Sequence, residues 1–128
     1  MEKLVYCDTH VIVGLHVKNL DFFPRPATRL LEHGHLLISP IVLLELEYLY
    51  EVGKIKTSAE KISKELEKNL GLKICDQNFL DVIHESLNQS WTWDPFDRLI
   101  VAQAALTKSS LITKDEFILK HYTYAVWE

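Results

Sequence analysis

The sequence predicts an α/β fold: a mainly parallel central sheet of four or five strands with helices on both faces. Three observations predict it. Four short apolar runs of strand type recur along the chain, helical stretches separate them, and three of the four glycines close those helical stretches. Short apolar strands alternating with helices build a parallel sheet buried on both sides.

Leu4-Val5-Tyr6-Cys7 is the first strand, and Leu36-Leu37-Ile38, Leu72-Lys73-Ile74-Cys75 and Ser110-Leu111-Ile112 are the others. Val11-Ile12-Val13 reads as a helix with Gly14 inside it, and Asp8 is placed to cap it. The next helices are residues 27–33 ending at Gly34, 40–52 ending at Gly53, and 58–70 ending at Gly71. Residues 76–87 follow, with Asp76 as the expected cap. Residues 95–107 close the series, with Asp94 suited to the N-cap and Pro95 to the first helical position. No repeat, low-complexity segment or long linker interrupts the chain, so residues 1–128 are expected to form one domain.

Composition narrows the function. With 128 residues, 48% of them hydrophobic and 25% charged, the chain can bury a core of its own. A net charge of -4 argues against a large basic nucleic-acid footprint but leaves room for bridging cations. Cys7 and Cys75 lie in apolar runs without CxxC spacing, which suggests neither a zinc knuckle nor a disulfide framework and suits a reducing cytoplasm. No apolar run reaches the roughly 20 residues that span a bilayer, and the first residues lack the features of a signal peptide.

Ligands of parallel sheets sit beyond the carboxyl ends of the strands. Asp8-Thr9 follows the first strand and Thr113-Lys114-Asp115 follows the last, so each exit carries an aspartate beside a hydroxyl. In the helix 40–52, Glu45 shares a face with Ile41, Leu44, Tyr48, Leu49 and Val52, and is therefore expected to point toward the core, whereas Glu47 is expected to face solvent. Asp97 lies on the stripe of Ile100, Val101 and Ala104. Each acid also has a plain structural role open to it. Asp94, Asp97 and Asp8 can serve as caps, Asp115 as turn chemistry, and Glu45 as half of a buried ion pair. Together they are explained more economically by a shared hard cation, because carboxylates with few competing imidazoles or thiols prefer Mg2+ or Mn2+. Such ions suit phosphodiester cleavage.

The strings VYCDTHVIVGL, ISPIVLLELEYL, DPFDRLIVAQA and LITKDEF resemble, in order, the motifs of PIN-domain ribonucleases, most closely the VapC toxins of VapBC toxin-antitoxin pairs. The resemblance covers essentially the whole chain, and DPFDRLIVAQA is its most specific part. It implies a PIN-like three-layer sandwich and a divalent-metal-dependent endoribonuclease that acts on RNA, silenced by a VapB-like antitoxin. By that likeness Asp8, Glu45, Asp97 and Asp115 fall on the acidic metal-site positions, Thr9, Ser39 and Thr113 on supporting hydroxyl positions, and Asp94 could join a second ion. His10 departs from the small or polar residue usual after the Asp-Thr pair.

Two readings compete. A catalytically silent binding module would use the acids only to attract a basic partner. An aspartate-nucleophile phosphatase would need a DxDxT signature, which fails because position 10 is His and position 12 is Ile. His33 and His35 flank a helix-ending glycine and are expected to be structural or exposed. Trp91 and Trp93 are expected to pack a loop onto the core rather than stack on RNA bases. A homodimer is expected from the family, with Ile62, Leu66 and Leu70 as an apolar stripe that could instead cover the chain's own core.

Overall fold

The computed structural model describes residues 3–128. Five strands, β1 (Leu4–Cys7), β2 (His35–Ile38), β3 (Lys73–Ile74), β4 (Ser110–Ile112) and β5 (Ala125–Val126), form one sheet in the order β3-β2-β1-β4-β5. Every neighbouring pair is parallel. The helices are α1 (Thr9–His16), α2 (Arg25–His33), α3 (Pro40–Glu51), α4 (Ala59–Leu70), α5 (Phe79–Ser86), α6 (Pro95–Leu106) and α7 (Glu116–His121), with a 3-10 turn at Leu20–Phe22. β5 and α7 add to the elements expected from sequence.

The chain winds outward from β1 to β2 and β3, then crosses to β4 and β5 on the other side of β1. Right-handed crossovers that reverse direction in this way send helices to opposite faces. Successive residues of a strand point to opposite faces, and Val5, Tyr6 and Cys7 are all buried, so both faces of β1 are covered. The reversal between β1 and β4 opens a crevice beyond their carboxyl ends. Asp8 and Asp115, two of the acids singled out in the sequence, stand there.

Local chemistry sets the helix boundaries. The Ser39 hydroxyl accepts the Ile41 amide at 3.3 Å and Pro40 begins α3, while Ser58 caps α4 and Gly71, at φ 71°, ends it in the left-handed region. The expected Asp76 cap is wrong. Asn78 caps α5 by accepting the Asp81 amide at 3.1 Å. Cys75 still pairs with Ile38 at 2.8 Å, so the chain is extended just where Asp76 would have to open a helix.

The inward face of α3 also differs from the expected one. Val42 and Leu46 are fully buried, whereas Leu44, Tyr48 and Val52 are each more than half exposed. The helix is apolar nearly all round, so its pattern does not select one face. Glu47, expected to face solvent, accepts the Ala59 amide at 3.1 Å and ties α3 to the start of α4. Ile62 and Leu66 of α4 enter the chain's own core and only Leu70 is exposed, so this stripe gives no support to a dimer. Among the described residues, no helix is long and apolar enough to cross a membrane.

Tyr6, Ile12, Ile38, Leu46, Ile62, Ile100, Leu111 and Ile112 are among the fully buried side chains around the sheet. Both cysteines are free and buried; burial pushes the Cys7 thiol up to about 12, and Cys75 Sγ lies 3.1 Å from the Tyr6 hydroxyl.

Gly34 is required by space rather than by backbone angle. A Cβ there would lie 2.3 Å from Cγ2 of the fully buried Val5 and 3.0 Å from the Leu30 carbonyl. Gly71 has open space around it but a positive φ. Gly34→Ala is expected to cost about 1–3 kcal/mol by overpacking, and Gly71→Ala about 1 kcal/mol by left-handed strain, as read from denaturant midpoints. Val5→Ala should then cost less in the Gly34→Ala background than in the parent, because the two side chains collide. Additive costs would mean that the clash is relieved elsewhere.

Candidate active site

Asp8 is built in rather than laid on. It leaves β1 with its amide bonded to the Ile112 carbonyl of β4 at 3.0 Å, and its buried carboxylate serves both sides of the crevice. Oδ1 accepts the Thr9 amide at 2.8 Å as the N-cap of α1, and Oδ2 accepts the Thr113 hydroxyl at 2.7 Å. The Thr113 hydroxyl in turn accepts the Asp115 amide at 3.0 Å. One fully buried threonine therefore fixes the aspartate after β1 and the turn after β4 together.

Glu45 reaches the same place from the second turn of α3. The Thr9 hydroxyl donates to Glu45 Oε1. Burial raises the Glu45 pKa, the hydrogen bond from Thr9 opposes that shift, and Asp8 and Asp94 add to it. Glu45 lies beside the core rather than within it.

Asp94, Asp97 and Asp115 come from helix starts. Asp94 caps α6, with Oδ1 accepting the Phe96 amide at 2.9 Å and the Asp97 amide at 3.4 Å. Asp115 caps α7 through the Phe117 and Ile118 amides at 2.8 and 3.1 Å. The turn expected at Asp115 is therefore the start of a helix. Asp97 caps nothing, and its carboxylate accepts no hydrogen bond from any described residue. Burial pushes its pKa up to about 7, and Asp94, Asp8, Asp115 and Glu45 all push the same way. An acid desolvated among four others, with no compensating donor, marks a candidate functional site.

All five acids and Thr9 line one cavity of about 540 Å³. Leu49, Ile55 and Phe22 form part of its apolar wall. Ser39 lies apart from this lining and acts only through the start of α3, the helix that carries Glu45. Among the described residues, no three of these acids sit close enough to grip one ion as they stand.

One contact in the cavity wall is not readable from sequence. His10 Nε2 accepts the Lys114 amide at 2.8 Å, while Nδ1 lies 3.6 Å from Asp8 Oδ2. Burial lowers the His10 pKa, nearby Asp8 opposes that shift, and Lys114 reinforces it. The only signal in the sequence was that a histidine stands after Asp-Thr. His33 and His35 are exposed. Trp91 packs against the core and stacks on His121 with centroids 4.9 Å apart, but Trp93 is 90% exposed and packs no loop, contrary to expectation.

The same fold occurs in several solved structures. A toxin-antitoxin complex from Klebsiella pneumoniae superposes with a TM-score of 0.64 at 20% identity, covering 95% of each chain. VapBC2 from Rickettsia felis, bound to a DNA fragment from its promoter, gives 0.62 at 23% identity over 98% of this chain and 97% of that one. DNA-bound VapBC from Salmonella typhimurium gives 0.62 at 16% identity over 100% and 98%. No curated protein matches at a significant level. The PIN domain family matches residues 5–122, a span that takes in every acid of the cavity, and the chain belongs to that family.

Proposed function

We propose that this chain is a divalent-metal-dependent endoribonuclease of the toxin type, held in check by a VapB-like antitoxin. The observation that carries the reading is Asp97, a carboxyl that burial and four neighbouring acids push up to about 7, in a five-acid cavity at the sheet's switch point. Membership of the PIN family and the shared fold with toxin-antitoxin complexes support it. RNA as substrate and a homodimer both rest on the family resemblance.

The donor set fits a hard cation. Asp8, Glu45, Asp97 and Asp115 offer only carboxylate oxygens, Asp94 stands at the rim for a second ion, and both thiols are buried in the core. The fitting ion is a hard one that keeps several of its own waters, as Mg2+ does and Mn2+ can. When bound, such an ion activates a water and offsets charge on the phosphate being cleaved.

The protein's own groups prepare that chemistry. Thr113 and the Thr9 amide hold Asp8 in one orientation, and the Thr9 hydroxyl holds Glu45, so two carboxylates are aimed before any ligand arrives. Asp97 lacks such a tether, and its raised pKa lets it give up a proton near neutral pH as positive charge enters. The cavity's acids also suit an arginine from an antitoxin, which could occupy the place of the cation against Asp97 or Asp115.

Stability should depend on pH in a definite direction. The folded-state pKa of Asp97 is raised, so the folded chain holds a proton that the unfolded chain loses above pH 4. The resulting penalty is absent below about pH 4, grows as pH rises, and is complete above about pH 7. Discounted for partial exposure, it is about 2 kcal/mol. Asp97→Asn should therefore be as stable as the metal-free parent or more so at pH 8, with less difference at pH 5. It should gain less from added Mn2+ and lose RNA cleavage. Thermal melts at both pH values, beside a cleavage assay, measure this; retained cleavage and an undiminished Mn2+ effect would make Asp97 a structural residue.

Asp8→Asn tests the reading in cells. Induction of the parent should arrest growth, and the variant should not, because the cavity loses its best-anchored carboxylate. Equal arrest from both would remove Asp8 from the chemistry.

A further inference from the structure

We propose that His10 is a positioning residue that latches the turn after β4 onto α1 and thereby sets where Asp115 stands in the cavity. Lys114 lies between Thr113 and Asp115, and its amide donates to His10 Nε2 at 2.8 Å across 104 residues of sequence. Thr113 is tied to Asp8 on one side of this contact and to the Asp115 amide on the other. The latch thus closes a loop of hydrogen bonds: Asp8 to Thr113, through the backbone to Lys114, to His10, and back to Asp8 two residues earlier. Asp8 and Asp115 are the acids at its two ends. Without His10, the turn keeps the Thr113 hydroxyl on Asp8, the Thr113 amide on the Val126 carbonyl at 3.1 Å, the Lys114 ammonium over Phe22 and the Asp115 cap of a helix only six residues long, but the Lys114 backbone itself loses its one hydrogen bond to α1.

The geometry fixes the tautomer. A nitrogen that accepts an amide carries no proton, so the neutral ring has its hydrogen on Nδ1, facing Asp8 Oδ2 at 3.6 Å. The ring is braced from behind. Trp127 meets it edge-on at 6.1 Å between centroids and is itself packed at 5.0 Å against Phe22, whose ring lies under the Lys114 ammonium at 5.0 Å. Lys114 is therefore held at its backbone by His10 and at its side chain by Phe22. An ordinary small residue at position 10 could do neither the bonding nor the bracing.

A purely packing role predicts a different order of variants from a latch, and this makes the proposal testable. His10→Leu keeps apolar bulk against Trp127 but offers no acceptor, whereas His10→Gln loses the ring but can place an oxygen near the position of Nε2. The first measurement is amide exchange at Lys114 by NMR on the whole metal-free chain. Protection is expected in the parent and in His10→Gln, with exchange about tenfold faster in His10→Leu, the change expected on losing one hydrogen bond. An unprotected Lys114 amide in the parent, or equal exchange in the two variants, overturns the latch whatever the metal chemistry proves to be.

The second measurement rests on the proposed function. The Mn2+-induced rise in melting temperature should shrink in His10→Leu and recover in His10→Gln. RNA cleavage should follow, with kcat lowered about 10- to 100-fold in His10→Leu and KM little changed. If exchange follows the predicted order but the parent shows no response to Mn2+ and cleaves no RNA, the latch stands and the nuclease reading fails. If the parent cleaves RNA and His10→Leu cleaves it as well as His10→Gln, the latch does not act on Asp115.

Discussion

The hydrogen bond from the Thr113 hydroxyl to Asp8 Oδ2 is the contact on which the rest of the site depends. It joins the ends of β1 and β4, the two strands between which the winding of the sheet reverses. Both partners are buried, so the bond forms at low local dielectric and costs little to keep formed. It also settles one carboxylate of a cavity whose members repel one another. The fold holds this arrangement on the buried apolar residues of β1 and β4 beneath it.

Repulsion is distributed unevenly among the acids. Asp8, Asp94 and Asp115 each cap a helix and accept backbone amides, which offset negative charge locally. Glu45 has the Thr9 hydroxyl. Asp97 has none of these and takes the remaining strain as a raised pKa. Capping a helix and lining the cavity are therefore not rival roles here, since Asp8, Asp94 and Asp115 do both.

Much of this was legible in the sequence, for identifiable reasons. β1 and β4 are compact apolar runs, and α4 and α6 begin at the caps that Ser58 and Asp94 announce. β5 was missed because two residues at a sheet edge show no periodicity, and α7 because six residues after a turn-like Lys-Asp pair leave only about a turn and a half to read. Asp76 looked like a cap but strand pairing at Cys75 reached too far for it. Glu45 was singled out by a helical face that turned out to be exposed along Leu44 and Tyr48. That reasoning found the residue by a wrong route, because a helix apolar all round can be turned several ways. The His10 contact with Lys114 was illegible, since a bond across 104 positions depends on how the strand ends meet.

Calorimetric titration of Mn2+ into the whole chain, repeated in two buffers of different ionisation heat, tests the central claim most directly. If the acids converge to hold a cation, binding should saturate and release protons. Proton release is expected at pH 7 and should fall away toward pH 9, because burial and the neighbouring acids raise the Asp97 pKa to about 7. Weak unsaturated binding with no proton release at pH 7 would contradict the account and leave the cavity a cluster of helix caps.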